Sequence, residues 1–324
     1  MTGKPHQFAR GGVLLTREAV AAGVPARQLS RRLNAERWQR VTRGAWVAPG
    51  VELTPWMRAR VVQILHPGLI LSHRAAATLH RIELLRESIE FTEPSGLKGR
   101  RHGFTVHRTP LAPDEICTRD GLLVTTPLRT LHDLLLTGTR DEALVAVDSA
   151  LGTRVVGGVR RRRVITIDTL AAACATHPTR RHGTPRAKQW LALTDRQSGS
   201  PAETIARLRM HDAGLHPLSQ AELVTPDGRR VRPDFLFLRE GVVVEIEGYA
   251  YHGSREAHRR DLARFNVLSA CPGVRRVLRF PAATVFRTPD RMLDEIRAAL
   301  AGASPSSLGS YGRPSRTYRS GNHP

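Results

Sequence analysis

The sequence predicts an α+β protein built from several domains. Its 324 residues exceed one average domain of roughly 100–150 residues, so we expect more than one hydrophobic core. Helical spacing of apolar residues alternates with short strand patterns along most of the chain, as in α+β modules. Composition divides the chain into a basic N-terminal segment at 1–50, a middle module at 51–152, a basic linker at 153–199, a C-terminal domain at 200–300 and a disordered tail at 301–324.

Positive charge dominates the composition. Fifty Lys and Arg residues stand against 29 Asp and Glu residues, which gives a formal net charge of +21, and most of the positive residues are Arg. A polyanion is the expected partner, because each phosphate that Lys or Arg neutralises releases a condensed counterion. A genome rich in G and C would explain Arg in place of Lys but not the net excess. We therefore expect nucleic acid as a partner.

The sequence also carries expectations about the compartment. No apolar run approaches the roughly 20 residues of a membrane helix, and the N-terminus lacks the apolar run of a secretion signal. Cys117, Cys174 and Cys271 are far apart and form no CxxC pair, so we expect reduced thiols. These features predict a cytoplasmic protein without a membrane partner.

The N-terminal segment predicts a winged helix-turn-helix. A short helical pattern follows Thr16 and stops at Gly23, and a second helix opens after Pro25 with Leu29 and Leu33 on one face. Residues 37–47 then alternate like a hairpin. In this geometry the second helix enters a major groove and the hairpin contacts the phosphate backbone. The predicted DNA contacts are Arg27, Arg31, Arg32, Arg40 and Arg43. The alternative is a small helical module that packs on its neighbour.

Residues 1–48 resemble the N-terminal domain of AbiEi-type antitoxins, which implies a role in transcriptional regulation. The resemblance rests on a GG-LTR pattern followed by a glycine and on an RW-x-RV-x-RG hairpin. In this chain the motifs comprise Gly11, Gly12, Leu15, Thr16, Arg17, Gly23, Arg37, Trp38, Arg40, Val41, Arg43 and Gly44.

The middle module alternates helical stretches with short strand candidates. Thr126 followed by Pro127 predicts a helix start, because the Thr side chain can accept an orphan amide and Pro loses nothing at the first position. The stretches SHRAAATLH and TTPLRTLHDL resemble the middle region of long AbiEi-like proteins. Its histidines lack paired metal-ligand spacing, so structural or solvent-facing roles are expected for His73, His80, His102, His107 and His132.

The C-terminal domain begins with a helix that has Ser200 as N-cap, Pro201 at N1 and Glu203 at N3, which is a capping box. Three strands in an antiparallel meander follow. If Glu240 and Gly241 form a two-residue loop, Asp234 falls opposite Glu247 and diagonal to Glu245, so three carboxylates share one patch.

Neighbouring carboxylates repel one another, so this patch needs a compensating cation. Mg²⁺, or Mn²⁺ in its place, suits oxygen ligands and also contacts substrate phosphate. The alternative is an exposed polar strand face. His252 follows the strand in a loop, where a neutral imidazole could take a proton from water. A helix over about 255–270 then carries Arg259, Arg260 and Arg264, which are expected to hold the phosphodiester, and a strand at 276–280 and a helix at 289–300 complete the domain.

Residues 200–300 resemble the endonucleases related to very-short-patch mismatch repair within the PD-(D/E)XK superfamily. The motifs are the helix glutamate, PDF, VEIEGYAYH, RRDLARFNVL and VLRF. The resemblance implies a restriction-endonuclease-like α-β-β-β-α-β core and metal-dependent hydrolysis of DNA. It assigns the metal ligands to Glu203, Asp234 and Glu245 and the histidine after the strand to His252. Glu247 occupies the position of the superfamily lysine, so water activation would fall to His252 or to an Arg of the following helix.

Two functions are therefore compatible with the sequence. The first is a Mg²⁺-dependent deoxyribonuclease with an N-terminal DNA-binding domain. The second is an AbiEi-like antitoxin and transcriptional regulator whose C-terminal domain only binds DNA or a protein. Winged helices and nucleases both occur as monomers and as homodimers, so either assembly fits.

Overall fold

The computed structural model describes residues 5–94, 104–176, 184–248 and 255–302. His102, His252 and all but the first two residues of the predicted disordered tail lie outside these ranges. The chain divides into two units, and each is described by itself. Unit 1 comprises Met1–Ala146 and Val155–Leu191, and unit 2 comprises Val147–Arg154 and Ala192–Pro324. No helix in the described ranges is long and apolar enough to cross a lipid bilayer.

The N-terminal domain contains the predicted helix-turn-helix and hairpin. After a 3-10 turn at Pro5–Phe8, its elements are β1 (Ala9–Arg10), β2 (Val13–Leu15), α1 (Thr16–Ala21), α2 (Ala26–Ala35), β3 (Gln39–Thr42) and β4 (Ala45–Val47). The strands form one sheet in the order β1-β2-β4-β3, of which only β3 and β4 were expected. Leu29 and Leu33 of α2 are buried against Leu14, Trp38 and Trp46, so the polar face of α2 is left outward.

The middle module packs helices on a five-stranded sheet. Its elements are α3 (Pro55–Leu65), β5 (Ile70–Leu71), α4 (His73–Leu79), β6 (Glu90–Glu93), β7 (Thr105–Arg108), β8 (Ile116–Arg119), β9 (Leu122–Thr125), α5 (Pro127–Thr137) and α6 (Arg140–Leu151), with a 3-10 turn at Pro113–Glu115. The strand order is β7-β6-β5-β9-β8. Phe91, Leu71 and Val124 form the centre of its core. The Thr126 side chain accepts the amide of Arg129 at the start of α5, as predicted.

The segment predicted as a basic linker contains regular structure in its described part. It holds a hairpin of β10 (Arg154–Val156) and β11 (Val159–Arg161), followed by α7 (Ile167–Thr176) and α8 (Thr184–Leu191). Leu170 and Cys174 of α7 are buried, and α7 and α8 pack on α5. The stretch DTLAAACA predicts a short helix, which corresponds to α7, whereas the hairpin and α8 were not expected from the sequence.

Unit 2 contains a four-stranded sheet. Its elements are α9 (Pro201–Asp212), β12 (Leu218–Ser219), β13 (Leu223–Val224), β14 (Arg230–Val231), β15 (Phe235–Phe237), β16 (Val242–Glu247), α10 (Arg255–Ser269), β17 (Arg276–Pro281), α11 (Ala282–Arg287) and α12 (Pro289–Ala301). The sheet order is β12-β15-β16-β17, with β17 parallel to β16 and the other pairs antiparallel. The first predicted strand, AELVT, corresponds to β13, which pairs with β14 in a separate hairpin around the predicted turn. Its expected place beside β15 is taken by β12, which was not predicted.

The turn between β15 and β16 is longer than the sequence suggested. Phe237 pairs with Val242 and Phe235 pairs with Val244, so four residues, 238–241, form the loop. The expected two-residue loop was therefore wrong. The register moves by two residues, which keeps the faces of both strands and brings Asp234 level with Glu245 instead of Glu247.

A buried carboxylate ties α9 to the rest of unit 2. Asp148, in the last turn of α6, is fully buried and accepts hydrogen bonds from the amide of Asp195 at 2.8 Å, from Thr204 Oγ1 at 3.0 Å and from Arg207 Nη2 at 2.7 Å. Thr204 and Arg207 both lie on α9, so Asp148 fixes the helix that carries Glu203.

We expect Asp148→Ala to destabilise α9 by about 3–5 kcal/mol, because it leaves the Arg207 guanidinium without its buried carboxylate. Native-state hydrogen exchange of α9 measures this free energy. Asp195→Ala is the matched control, since that carboxylate lies 4.0 Å from Arg207 and is partly exposed, and it should cost no more than about 1 kcal/mol. Equal effects of the two changes would contradict the role given to Asp148.

Candidate functional site

Three carboxylates from three elements of unit 2 form a patch. Glu203 lies in the first turn of α9, Asp234 immediately precedes β15, and Glu245 lies within β16. Gln220, next to β12, links two of them: its Nε2 donates to Glu203 Oε2 at 3.3 Å and to Asp234 Oδ1 at 3.1 Å. No sequence pattern singles out Gln220, because a lone glutamine belongs to no spacing pattern.

The N-terminal turn of α9 holds the Glu203 carboxylate. Ser200 Oγ accepts the Glu203 amide at 3.2 Å, while Glu203 Oε2 accepts the amide of Gly199 at 2.6 Å. The predicted N-cap is therefore confirmed, but the capping box is incomplete, because the Glu203 carboxylate accepts the amide of Gly199 and not that of Ser200. A side chain at position 199 would place its Cβ 2.8 Å from Glu203 Oε1, so it would displace the Glu203 carboxylate.

Asp234 and Glu245 are joined by reciprocal bonds where strand pairing stops. Glu245 Oε1 accepts the amide of Asp234 at 3.1 Å, and Asp234 Oδ2 accepts the amide of Ile246 at 2.8 Å. Each carboxylate therefore replaces a backbone carbonyl as a partner for the neighbouring strand. The predicted proximity of Asp234 and Glu245 is observed, although by a different register.

The patch is electrostatically costly. Burial, together with the charges of Glu203 and Glu245, raises the pKa of Asp234 to about 7, against the opposing effects of the Ile246 amide and Arg264. Burial also raises the pKa of Glu203, although the Gly199 amide and Ser200 oppose the shift. Asp234 therefore keeps a proton at pH values where an exposed aspartate is ionised.

Arg264 of α10 supplies one compensating charge. Its Nε donates to Glu245 Oε2 at 2.6 Å and its Nη2 donates to Glu245 Oε1 at 3.1 Å, a bidentate pair, while Nη2 also contacts the carbonyl of Arg232 at 2.9 Å. The sequence assigned Arg264 to DNA. The structure instead places it against Glu245, with about half of its side chain still exposed.

Glu247, the fourth predicted carboxylate, has its ionic partner outside the patch. Glu247 pairs with Arg279 of β17 at 2.8 Å, so the structure does not bring it to Asp234. Arg259 and Arg260 lie on α10, where Arg259 is exposed. His252 lies outside the described residues, and its predicted role stays a prediction.

The donor set of the patch suits a hard divalent cation. Mg²⁺ and Mn²⁺ prefer oxygen ligands, and Mg²⁺ is usually bound by one or two carboxylates together with water and substrate phosphate. Glu203 and Asp234, which share Gln220, provide two such carboxylates. The oxygens of Glu203, Asp234 and Glu245 do not all lie close enough to one another to serve as three ligands of one ion, because the Glu245 carboxylate binds Arg264. The residues therefore fit such an ion through Glu203 and Asp234.

A second candidate surface is the basic face of the N-terminal domain. Arg27 and Arg31 are exposed on α2, and Arg43 is exposed at the hairpin turn. Two further predicted contacts have partners within the domain. Arg32 pairs with Glu36 at 2.8 Å, and the Arg40 guanidinium lies over the Trp46 ring, 5.8 Å from its centroid.

Residues 7–49 match the family model described as "Transcriptional regulator, AbiEi antitoxin". The N-terminal domain is AbiEi-like. A domain of this description fits DNA as a partner. The crystal structure of the RV2827C protein from Mycobacterium tuberculosis is similar at 17% sequence identity and a TM-score of 0.41, over 66% of this chain and 84% of that chain. None of the curated proteins matches the chain significantly.

The raised pKa of Asp234 generates a prediction about stability and pH. In the folded state Asp234 keeps its proton up to about pH 7, whereas in the unfolded state it releases the proton near its ordinary pKa of 3.8. The contribution of this proton to stability is therefore complete below pH 3.8 and is lost as the pH rises to about 7. We expect the free energy of unfolding of the wild type to fall by roughly 2–4 kcal/mol over this range relative to Asp234→Asn. Urea unfolding followed by circular dichroism measures the difference, and parallel pH profiles would refute it.

Proposed function

We propose that this protein binds DNA through its AbiEi-like domain and hydrolyses DNA phosphodiester bonds at the carboxylate patch of unit 2, with Mg²⁺ or Mn²⁺ as cofactor. The observation that carries this proposal is the burial of Asp234 between Glu203 and Glu245, which raises the Asp234 pKa to about 7. A folded protein gains no stability from such a cluster, and strongly perturbed carboxylates are typical of functional sites.

The residues of the patch have separate tasks in this proposal. Glu203 and Asp234 would hold the ion, which when bound supplies positive charge to the scissile phosphate and acidifies a water molecule. The Ile246 amide fixes Asp234, and the Gly199 amide fixes Glu203, so neither carboxylate has to be ordered when substrate arrives. Their positions are set by backbone groups, which cannot rotate away.

Arg264 takes over part of the task of the missing superfamily lysine. A guanidinium stays protonated, so it cannot accept a proton from water. It can stabilise charge on the phosphate and orient Glu245, and its exposed half allows substrate to reach it. The proton of the attacking water is therefore left to a carboxylate of the patch or to His252.

DNA recruitment is assigned to the N-terminal domain. With Leu29 and Leu33 buried, Arg27 and Arg31 face outward from α2 and can enter a major groove, while Arg43 reaches the phosphate backbone from the hairpin. The net charge of +21 supports a largely electrostatic contribution to affinity.

Two observations favour a second function, a DNA-binding regulator without catalysis. The bidentate Arg264 pair already neutralises Glu245, as a metal ion would, and the family model that matches residues 7–49 describes a transcriptional regulator. Metal-dependent nicking of DNA distinguishes the two functions.

We expect duplex binding to weaken steeply with salt and Arg31→Ala and Arg43→Ala each to lower affinity. Each lost phosphate contact should reduce the slope of log K against log salt concentration by about 1. Electrophoretic mobility shifts at several salt concentrations measure both quantities. Arg291→Ala, an exposed arginine of α12 paired with Glu295, is the matched control and should leave binding unchanged. Affinity that is insensitive to salt and to Arg31 and Arg43 would exclude this surface.

We expect the wild type to nick supercoiled plasmid with Mg²⁺ or Mn²⁺ and not with EDTA. Asp234→Asn should slow cleavage by roughly 100-fold or more, because it removes the charge that holds the ion while keeping shape and hydrogen bonding. Asp227→Asn, in the exposed turn between β13 and β14, is the control and should cleave normally.

The substitution Glu203→Gln distinguishes a role of Glu203 as an ion ligand from its role in capping α9. The amide oxygen can still accept the Gly199 amide, so a loss of cleavage at unchanged thermal stability would support a role in ion binding. If the wild type cleaves no DNA with any divalent ion, or if Asp234→Asn cleaves like the wild type, the regulator function takes the place of the nuclease.

A further inference from the structure

The two motifs of the middle module that the proposed function leaves unused meet at one cavity. SHRAAATLH supplies His73, TTPLRTLHDL supplies Arg129 and Asp133, and β7 supplies His107. These side chains line a cavity of about 300 Å³ within unit 1. The cavity is therefore lined by residues of unit 1 alone, whereas the carboxylate patch is built from unit 2.

Two histidines and a glutamate converge beside this cavity. His73, Glu90 and His107 each offer a ligand atom, and these atoms lie within 4.8 Å of one another. Parallel pairing of β6 and β7 sets Thr92 level with His107, which puts Glu90 and His107 on the same face of the sheet. His107 Nε2 lies 2.6 Å from Glu90 Oε2, and the rings of His73 and His107 stack with centroids 3.5 Å apart.

The His73 side chain is a neutral imidazole, and one of its ring nitrogens is available to a ligand. Burial, with the nearby His107 adding to it, lowers the pKa of His73 to about 3. Its Nδ1 lies 2.9 Å from Ser72 Oγ, which itself accepts a hydrogen bond from Thr92 at 2.8 Å. A proton on Nδ1 therefore has an acceptor, and the lone pair of Nε2 is left for a ligand. The backbone of His73 has a φ of 50°, a strained value for a residue with a side chain.

Glu90 is buried and kept ionised. Burial alone would raise its pKa, but hydrogen bonds from His107 and Arg74 lower it. Arg74 Nη1 donates to Oε1 at 2.7 Å, so Arg74 balances the charge while Oε2 faces the histidines. The trio thus combines the neutral imidazole of His73, the half-buried imidazole of His107 and the Glu90 carboxylate, whose other oxygen is bound by Arg74.

The cavity lining also carries buried polar atoms without hydrogen-bond partners in the described part of the chain. Asp133 Oδ2 and Arg129 Nη2 are buried, and neither has a hydrogen-bond partner among the described residues. Leaving such atoms unmatched costs roughly 1–3 kcal/mol each. They are therefore suited to a ligand or to water bound in the cavity.

We propose that His73, Glu90 and His107 bind a divalent transition-metal ion, with Zn²⁺ as the best match, and that its open coordination position faces the cavity between Arg129 and Asp133. Two His and one Glu form a ligand set typical of zinc sites that keep a fourth position for water or substrate. A tetrahedral ion needs its ligand atoms about 3.3 Å apart. The ion would take the place of the hydrogen between His107 and Glu90, and the two stacked rings would turn apart by a small rotation.

The test uses the full chain, with Zn²⁺ alone as the probe. Equilibrium dialysis should find one tightly held Zn²⁺ in the wild type and in Asp234→Asn, which separates this site from the carboxylate patch. His107→Gln, which keeps a donor to Glu90, should lower Zn²⁺ affinity by at least about 100-fold. Ser72→Ala should lower it by about 10-fold to 100-fold without touching the ion, because it releases the His73 ring. His211→Gln is the control, since His211 and His216 form another neighbouring pair, in unit 2, with centroids 5.2 Å apart.

Co²⁺ provides a spectroscopic readout. A site of low coordination number with nitrogen ligands should give an intense visible absorption in the wild type and in Asp234→Asn, and His107→Gln should abolish it. Circular dichroism without metal checks that each variant is folded. If the wild type holds no Zn²⁺, or if His107→Gln and His211→Gln lower its affinity equally, the trio is an ion pair and the proposal is overturned.

Discussion

A carboxylate that is buried away from water must accept hydrogen bonds or bind a cation, and this requirement organises both units. In unit 2, Asp148 collects three donors and so fixes α9, while Glu203, Asp234 and Glu245 accept backbone amides and the Arg264 guanidinium. In unit 1, Glu90 and Glu142 share Arg74, and Asp133 pairs with Arg129. The excess of arginine therefore serves the interior as well as the surface, since guanidinium groups match buried carboxylates in bidentate geometry.

Two buried carboxylates of unit 2 differ in how completely this requirement is met. Asp148 is saturated by the protein, which makes it a structural residue. Asp234 is not: two further carboxylates lie beside it, and the nearest guanidinium is bound to Glu245. A site that remains under-neutralised in the folded protein is one where an external cation gains the most, and this difference separates the architectural carboxylates of unit 2 from those assigned to chemistry.

Local patterns could be predicted from the sequence, and long-range partners could not. The helix-turn-helix, its hairpin and the capping residues Thr126 and Ser200 depend on neighbours within a few positions. The proximity of Asp234 and Glu245 was also predictable, because a two-residue error in register preserves the face of a strand. Glu247 was placed wrongly because its partner, Arg279, is set by the parallel pairing of β16 with β17. Gln220, the role of Arg264, and the meeting of His73, Glu90 and His107 depend in the same way on contacts between distant elements.

Glu203 both caps α9 and faces the carboxylate patch, and this double use affects how related sequences should be compared. A lineage that abandoned cleavage would still be under selection to keep a glutamate there, with a glycine four positions earlier, because the helix depends on it. Asp234 contributes less to the stability of the fold and carries an electrostatic cost, so it should be substituted sooner once cleavage is no longer under selection. Among descendants of such a protein, the aspartate would therefore be the informative marker of retained chemistry, and the glutamate would persist as a relic of folding.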